Sequence, residues 1–127
     1  MRFTIDGREY HAFVSELARE GQVMDGSEAG RTLDGGMDRD IIGTYYNYTM
    51  TIDTNALSHS DYDTLFETLT APQDYHNVSF PYGRSGSLSF RAYVSGVTDR
   101  MKKDMDGGRE WGDLTCKFVA MKPHRRP

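Results

Sequence analysis

Ile42-Gly-Thr-Tyr-Tyr-Asn-Tyr-Thr-Met-Thr-Ile52 places Ile42, Tyr46, Tyr48, Met50 and Ile52 on one parity and Gly43, Tyr45, Asn47, Thr49 and Thr51 on the other. Apolar and polar side chains alternating at period two belong to a strand with one face buried and one face wet. The period then changes. Tyr62, Leu65, Phe66 and Leu69 follow at i, i+3, i+4 and i+7, the spacing that lines up one face of a helix. Ser58 is placed to cap that helix, with Leu57 and Tyr62 stapled across the cap. Asp61 and Asp63 lie near its positive end, and Pro72 closes it near Thr70.

Outward from this strand and helix, the same two tests give more strands. Phe3 and Ile5 alternate with Arg2 and Thr4 and lead into Asp6-Gly7, a pair suited to a two-residue hairpin turn. The return strand is expected over Arg8 to about Val14, with residues 15–20 open to a helical turn. Val78-Ser-Phe-Pro-Tyr82, a turn from Gly83 to Gly86, and Leu88, Phe90, Ala92 and Val94 read as a second hairpin. Leu114-Thr-Cys-Lys-Phe-Val-Ala-Met121 reads as the last strand. The layout is mainly β: a small sandwich or barrel of about five or six strands, with one α-helix packed on it.

Two stretches read as polar excursions. From Gly21 to Asp40 there are five glycines and five acidic residues, which predicts a long loop over about 21–40. A loop of that length inside a domain needs a reason, and contact with another chain supplies one. Residues 99–112 form the second excursion, with Trp111 as its aromatic anchor.

The 127 residues suit a single domain over 1–127, with 37% apolar and 12% aromatic side chains to fill a modest core. A formal charge of −4 lacks the basic footprint of a domain that grips nucleic acid. The one basic cluster, Lys122, His124, Arg125 and Arg126, lies in the short tail 122–127. Cys116 is the only cysteine, so no intrachain disulfide or zinc–thiolate set can form, and an intracellular site of folding is expected. No apolar run approaches the roughly 20 residues that span a bilayer, so no membrane insertion is expected, and the opening residues do not read as a signal peptide.

Residue chemistry points to no enzyme, and no catalytic, cofactor-binding or metal-ligating set is expected. The Asp34 to Asp40 and Asp104 to Glu110 stretches lack the ligand spacing and turn glycine of a calcium loop. His11, His59, His76 and His124 are dispersed, and no glycine-rich phosphate cradle is present. Cys116 shares the parity of Leu114 and Phe118 and reads as a small buried hydrophobe. Tyr45, Tyr46, Tyr48 and Tyr93 read first as ordinary sheet packing, with a sugar-stacking platform or a subunit interface as the other readings.

The order of parts resembles that of small tail-associated structural proteins of prophages of Gram-positive bacteria, of the distal-tail or tail-tube kind. The residues that carry the resemblance are the opening strand with its glycine turn, Arg39-Asp40-Ile41-Ile42-Gly43 closing the acidic loop, and the tyrosine-rich strand. It continues through the Leu57 to Leu69 helix, the Val78 to Tyr82 strand and Trp111-Gly-Asp-Leu-Thr-Cys-Lys-Phe-Val-Ala-Met121. The resemblance implies a structural subunit of a tail tip, baseplate or tail tube. It would form a homo-oligomeric ring through long loops, touch adjacent tail proteins, and let DNA pass without specific binding. Assembly in the cytoplasm of a bacterial host and a final place in the virion tail are implied with it. Met24, Arg31, Leu33, Met37, Arg39, Trp111, Arg125 and Arg126 are the expected interface residues. A carbohydrate or host-surface binding module and a tail assembly chaperone or connector are the alternatives.

Overall fold

Asp6 and Gly7 both have positive φ, 52° and 83°, the turn whose twist matches a two-residue hairpin. It joins β1 (Arg2–Ile5) to β2 (Arg8–His11). The Asp6 carboxylate holds this corner down, meeting His76 Nδ1 at 2.6 Å and accepting the Asn77 backbone N–H at 2.9 Å. The computed structural model describes residues 1–12, 14–53 and 56–127, and Phe13, expected in the return strand, lies outside the described residues. The next strand, β3 (Val14–Asp25), takes in residues 15–20, which are extended rather than a helical turn.

The expected loop over 21–40 is corrected. Residues 21–25 continue β3, and the chain then forms a small antiparallel ribbon of β4 (Gly30–Arg31) and β5 (Met37–Asp38) before β6 (Ile41–Ile52). β3 and β6 pair from Val14↔Ile52 to Asp25↔Ile41, with Gly21 opposite Tyr46 and Met24 opposite Gly43. Backbone pairing satisfies a strand's N–H and C=O groups whatever its side chains. A strand that runs past the core therefore needs no apolar alternation, and its glycines and acids resemble a loop.

Helix α1 (His59–Leu69) has the expected ends. The Ser58 side chain accepts the Asp61 N–H at 3.2 Å, and Thr70 caps the other end. Tyr62, Leu65 and Leu69 are buried. β7 (His76–Tyr82) pairs with β8 (Gly86–Met105), as the second hairpin requires. β8 does not stop near Val94. It runs on to Met105 and turns back into β9 (Gly108–Ala120). The excursion over 99–112 is thus a β-ribbon, and Trp111 sits in a strand opposite Met101, not in a loop.

The domain is mainly β with one helix. Seven strands form one antiparallel sheet in the order β2-β1-β7-β8-β9-β6-β3, with β4-β5 a separate pair. The nine strands exceed the expected five or six because β3, β4 and β5 come from segments that read as a helical turn or a loop.

This sheet cannot be flat. β7 and β6 are three places apart, about 14 Å in a flat sheet, yet the Tyr48 and Phe80 rings lie 5.0 Å apart and the Tyr48 hydroxyl donates to the Pro81 carbonyl at 3.0 Å. The edge strand β3 comes round as well, with Arg19 5.0 Å from the Tyr82 ring. Register shifts in β8 opposite β9, between Val94 and Gly96, Thr98 and Arg100, and Met101 and Lys103, are bulges of the kind that bend and twist a strand. The sheet curls around one core, and α1 contributes Tyr62, Leu65 and Leu69 to it.

Phe80 is the hub of that core, with Phe3, Tyr48 and Phe118 rings at 5.9, 5.0 and 4.9 Å. Phe80→Ala removes the β7 side chain on which rings from three other strands converge. It is expected to lower the unfolding free energy by about 3–5 kcal/mol, measured by urea denaturation. A loss below about 1 kcal/mol would mean the ring is not the centre of the core.

Candidate subunit interface

β9 runs antiparallel to β6, with Leu114 opposite Ile52 and Phe118 opposite Tyr48. The start of β6, with the β4–β5 tip beyond it, therefore lies past the Ala120 end of β9. The β8–β9 turn at 106–107 lies past the opposite, Ile52 end of β6. The two long ribbons leave the domain at opposite ends.

Both ribbons carry apolar side chains in water. On the β3–β6 ribbon and its tip, Val23, Met24, Leu33, Met37, Ile41 and Ile42 are exposed, and on the β8–β9 ribbon Met101, Met105 and Trp111 are. The expected interface residues Met24, Arg31, Leu33, Met37 and Arg39 are brought together on the first ribbon. Leu33 stands fully out at its tip, Arg31 donates to the Gly35 carbonyl at 3.3 Å, and Arg39 clasps Asp25 at 2.8 Å. That ion pair raises the Arg39 pKa, through the hydrogen bond first and the charge of Asp25 second. Trp111 belongs to the other ribbon. Sequence reasoning missed Val23, Ile41, Ile42, Met101 and Met105. The two last were passed over because charged neighbours hid them, although a methionine among charges is itself an apolar signal.

Arg125 and Arg126 lie at the end from which the β3–β6 ribbon projects. The Thr44 N–H donates to the Arg125 carbonyl at 2.9 Å, and the His124 N–H donates to the Thr44 carbonyl at 2.8 Å. Gly43 makes this approach possible: its φ is 158°, and a Cβ there would meet the Arg125 carbonyl oxygen at 2.4 Å. The His124 ring packs on Phe90 at 4.9 Å and Tyr46 at 5.2 Å, and its Nδ1 accepts the Tyr46 N–H at 3.2 Å. Lys122, Arg125 and Arg126 remain exposed beside it.

At the other end, α1 and the β8–β9 ribbon enclose a groove. Leu57, Tyr62, Phe66 and Trp111 form its apolar walls, and Asp63, Glu67, Asp99 and Glu110 its rim, with Arg109 at one side. The Tyr62 hydroxyl donates to Asp99 at 3.1 Å and ties the helix to β8. Burial first, and then the charge of Asp99, raise the Tyr62 pKa, so the phenol stays protonated in this bond.

Cys116 is fully buried, and burial pushes its thiol up to about 12. Of the tyrosines weighed as a stacking platform, Tyr48 is in the core, Tyr46 packs against Tyr82 with ring centroids 5.3 Å apart, and Tyr93 is exposed next to the buried Ala92. Among the described residues no three or more His, Cys, Asp or Glu side chains converge as a metal site would require. Nor, among them, is any helix long and apolar enough to cross a membrane. No protein-family model matches the chain, and no curated protein matches it.

Burial holds the His124 pKa below its ordinary 6.5, and protonation at Nδ1 would set two donors against each other at Tyr46. A folded-state pKa below the unfolded one gives stability that is present above the unfolded value and lost as pH falls through the folded one. The thermal stability of the wild type should therefore fall more steeply below about pH 6.5 than that of His124→Ala. Parallel acid profiles would show that this ring does not anchor the segment.

Proposed function

We propose that this protein is a structural subunit of a phage or phage-like tail, at the tip, baseplate or tube, that assembles with its own copies and with adjacent tail proteins. The observation that carries this reading is the exposure of apolar side chains along two ribbons that leave the domain at opposite ends. Exposed apolar patches rimmed by polar groups mark protein–protein contacts. Two different patches at opposite ends make a heterologous contact, which closes into rings or continues as a stack. The resemblance of the order of parts to that of small prophage tail proteins is the ground for the tail as the setting. In that setting assembly takes place in the bacterial cytoplasm and the mature particle carries the subunit in its tail. A net charge of −4 suits a wall past which DNA moves without sticking.

Trp111, exposed beside a groove, favours a second reading as a module that binds a carbohydrate or another host-surface ligand. The division of the tyrosines between core and surface leaves that reading without a wide stacking platform.

Light scattering after size separation should show mass rising with concentration. Leu33→Ser, Met37→Ser and Met105→Ser together should suppress this rise while changing stability by no more than about 0.5 kcal/mol per site, because these side chains are in water. A wild-type chain that stays monomeric at high concentration would reject self-assembly, and glycan binding by that monomer would favour the second reading.

A further inference from the structure

The groove and the C-terminal segment, at opposite ends of the domain, differ in the charges that they leave unpaired. The groove between α1 and the β8–β9 ribbon has Asp63, Glu67 and Asp99 on its rim, and among the described residues none of the three forms an ion pair with a Lys or Arg. Arg109, at the groove's side, is directed to Asp104 at 3.4 Å. Trp111 offers a half-exposed indole face in the same groove, a surface that attracts guanidinium and ammonium groups.

Lys122, Arg125 and Arg126 are the reverse: exposed cations that enter no ion pair among the described residues. Backbone bonds to Thr44 fix this segment at the far end of β9. Trp111 and Ala120 are nine residues apart along that strand, about 30 Å at the usual rise. A segment held there does not fold back into the groove of its own chain.

We infer that the groove walled by Leu57, Tyr62, Phe66 and Trp111 is the docking site for the basic segment 122–126 of a second copy, so that copies join end to end. The inference rests on the reading of this chain as a self-assembling subunit and names the contact that sets its direction. Charge complementarity selects the occupant. Of the four rim carboxylates at one end Glu110 meets Lys103 at 4.0 Å while Asp63, Glu67 and Asp99 form no ion pair, and the chain's own cations without an ion pair stand at the other. Because donor and acceptor patches are different surfaces, each copy that docks leaves one of each free for the next.

The test reverses charges at exposed positions, so the fold is kept. Asp63→Lys with Glu67→Lys alters only the groove, and Lys122→Glu with Arg126→Glu alters only the segment. At neutral pH and low salt, sedimentation should show each pair of changes weakening association about tenfold or more. The chain carrying all four should regain association, and added salt should weaken the wild type. If the wild type associates and neither pair of reversals changes it, the groove docking is overturned while self-assembly through the ribbons stands. If both pairs weaken association but the fourfold variant does not recover, the two patches do not meet each other and the inference also fails. A wild-type chain that never associates overturns this contact and the assembly reading together.

Discussion

Seven strands with one helix to cover them pose a packing problem, and the contact between Tyr48 and Phe80 is its solution. A sheet of that width has a broad apolar face, and an eleven-residue helix covers only part of it. The sheet bends until its own side chains fill the remainder: Phe3 from β1, Phe80 from β7, Phe118 from β9 and Tyr48 from β6 meet in one cluster. Aromatic rings suit this use because each reaches far from the backbone and buries a large area at the cost of few rotors. The bend also places the Tyr48 hydroxyl against a β7 carbonyl, so the ring that closes the core finds a partner for its one polar atom.

The curl fixes where everything else can go. With the inner face consumed by the core, any chain that extends beyond it has no interior left, and both long hairpins become two-sided ribbons in water. Their facing backbone groups pair across each hairpin, but their apolar side chains are not covered. Asn47 marks the boundary at one end: past the last β6–β9 pair its side-chain oxygen accepts the Ala120 N–H at 2.9 Å, standing in for the next rung of the ladder. From there β9 gives way to the basic segment, and β6 continues alone with β3.

The sequence was most legible where burial has one side. In the 42–52 strand and the 59–69 helix, period, cap and stop signals all agree, and the structure has them with ends as expected, from the Ser58 cap to Thr70. It was least legible at 21–25 and 99–112, where a ribbon exposes both faces and alternation carries no information. The candidate interface was half-legible for the same reason. Leu33 and Met37 stand out in an acidic, glycine-rich stretch, whereas Leu57, Tyr62 and Phe66 read as ordinary helix and core residues. Nothing in their spacing shows that Trp111, some fifty positions on, completes a groove with them.

The sequence by itself determined the local geometry: the left-handed Asp6-Gly7 turn, the half-buried strand, the capped helix and a core rich in aromatic rings. These depend on neighbours a few residues away, and backbone sterics, pleat and helix period settle them. Only the tertiary structure decided strand order, the curl, and the placing of the two ribbons at opposite ends, with the basic segment at one and the acid-rimmed groove at the other. Those depend on which strands pair across tens of residues. A residue's neighbours in the chain say what face it offers, but not which distant face it meets.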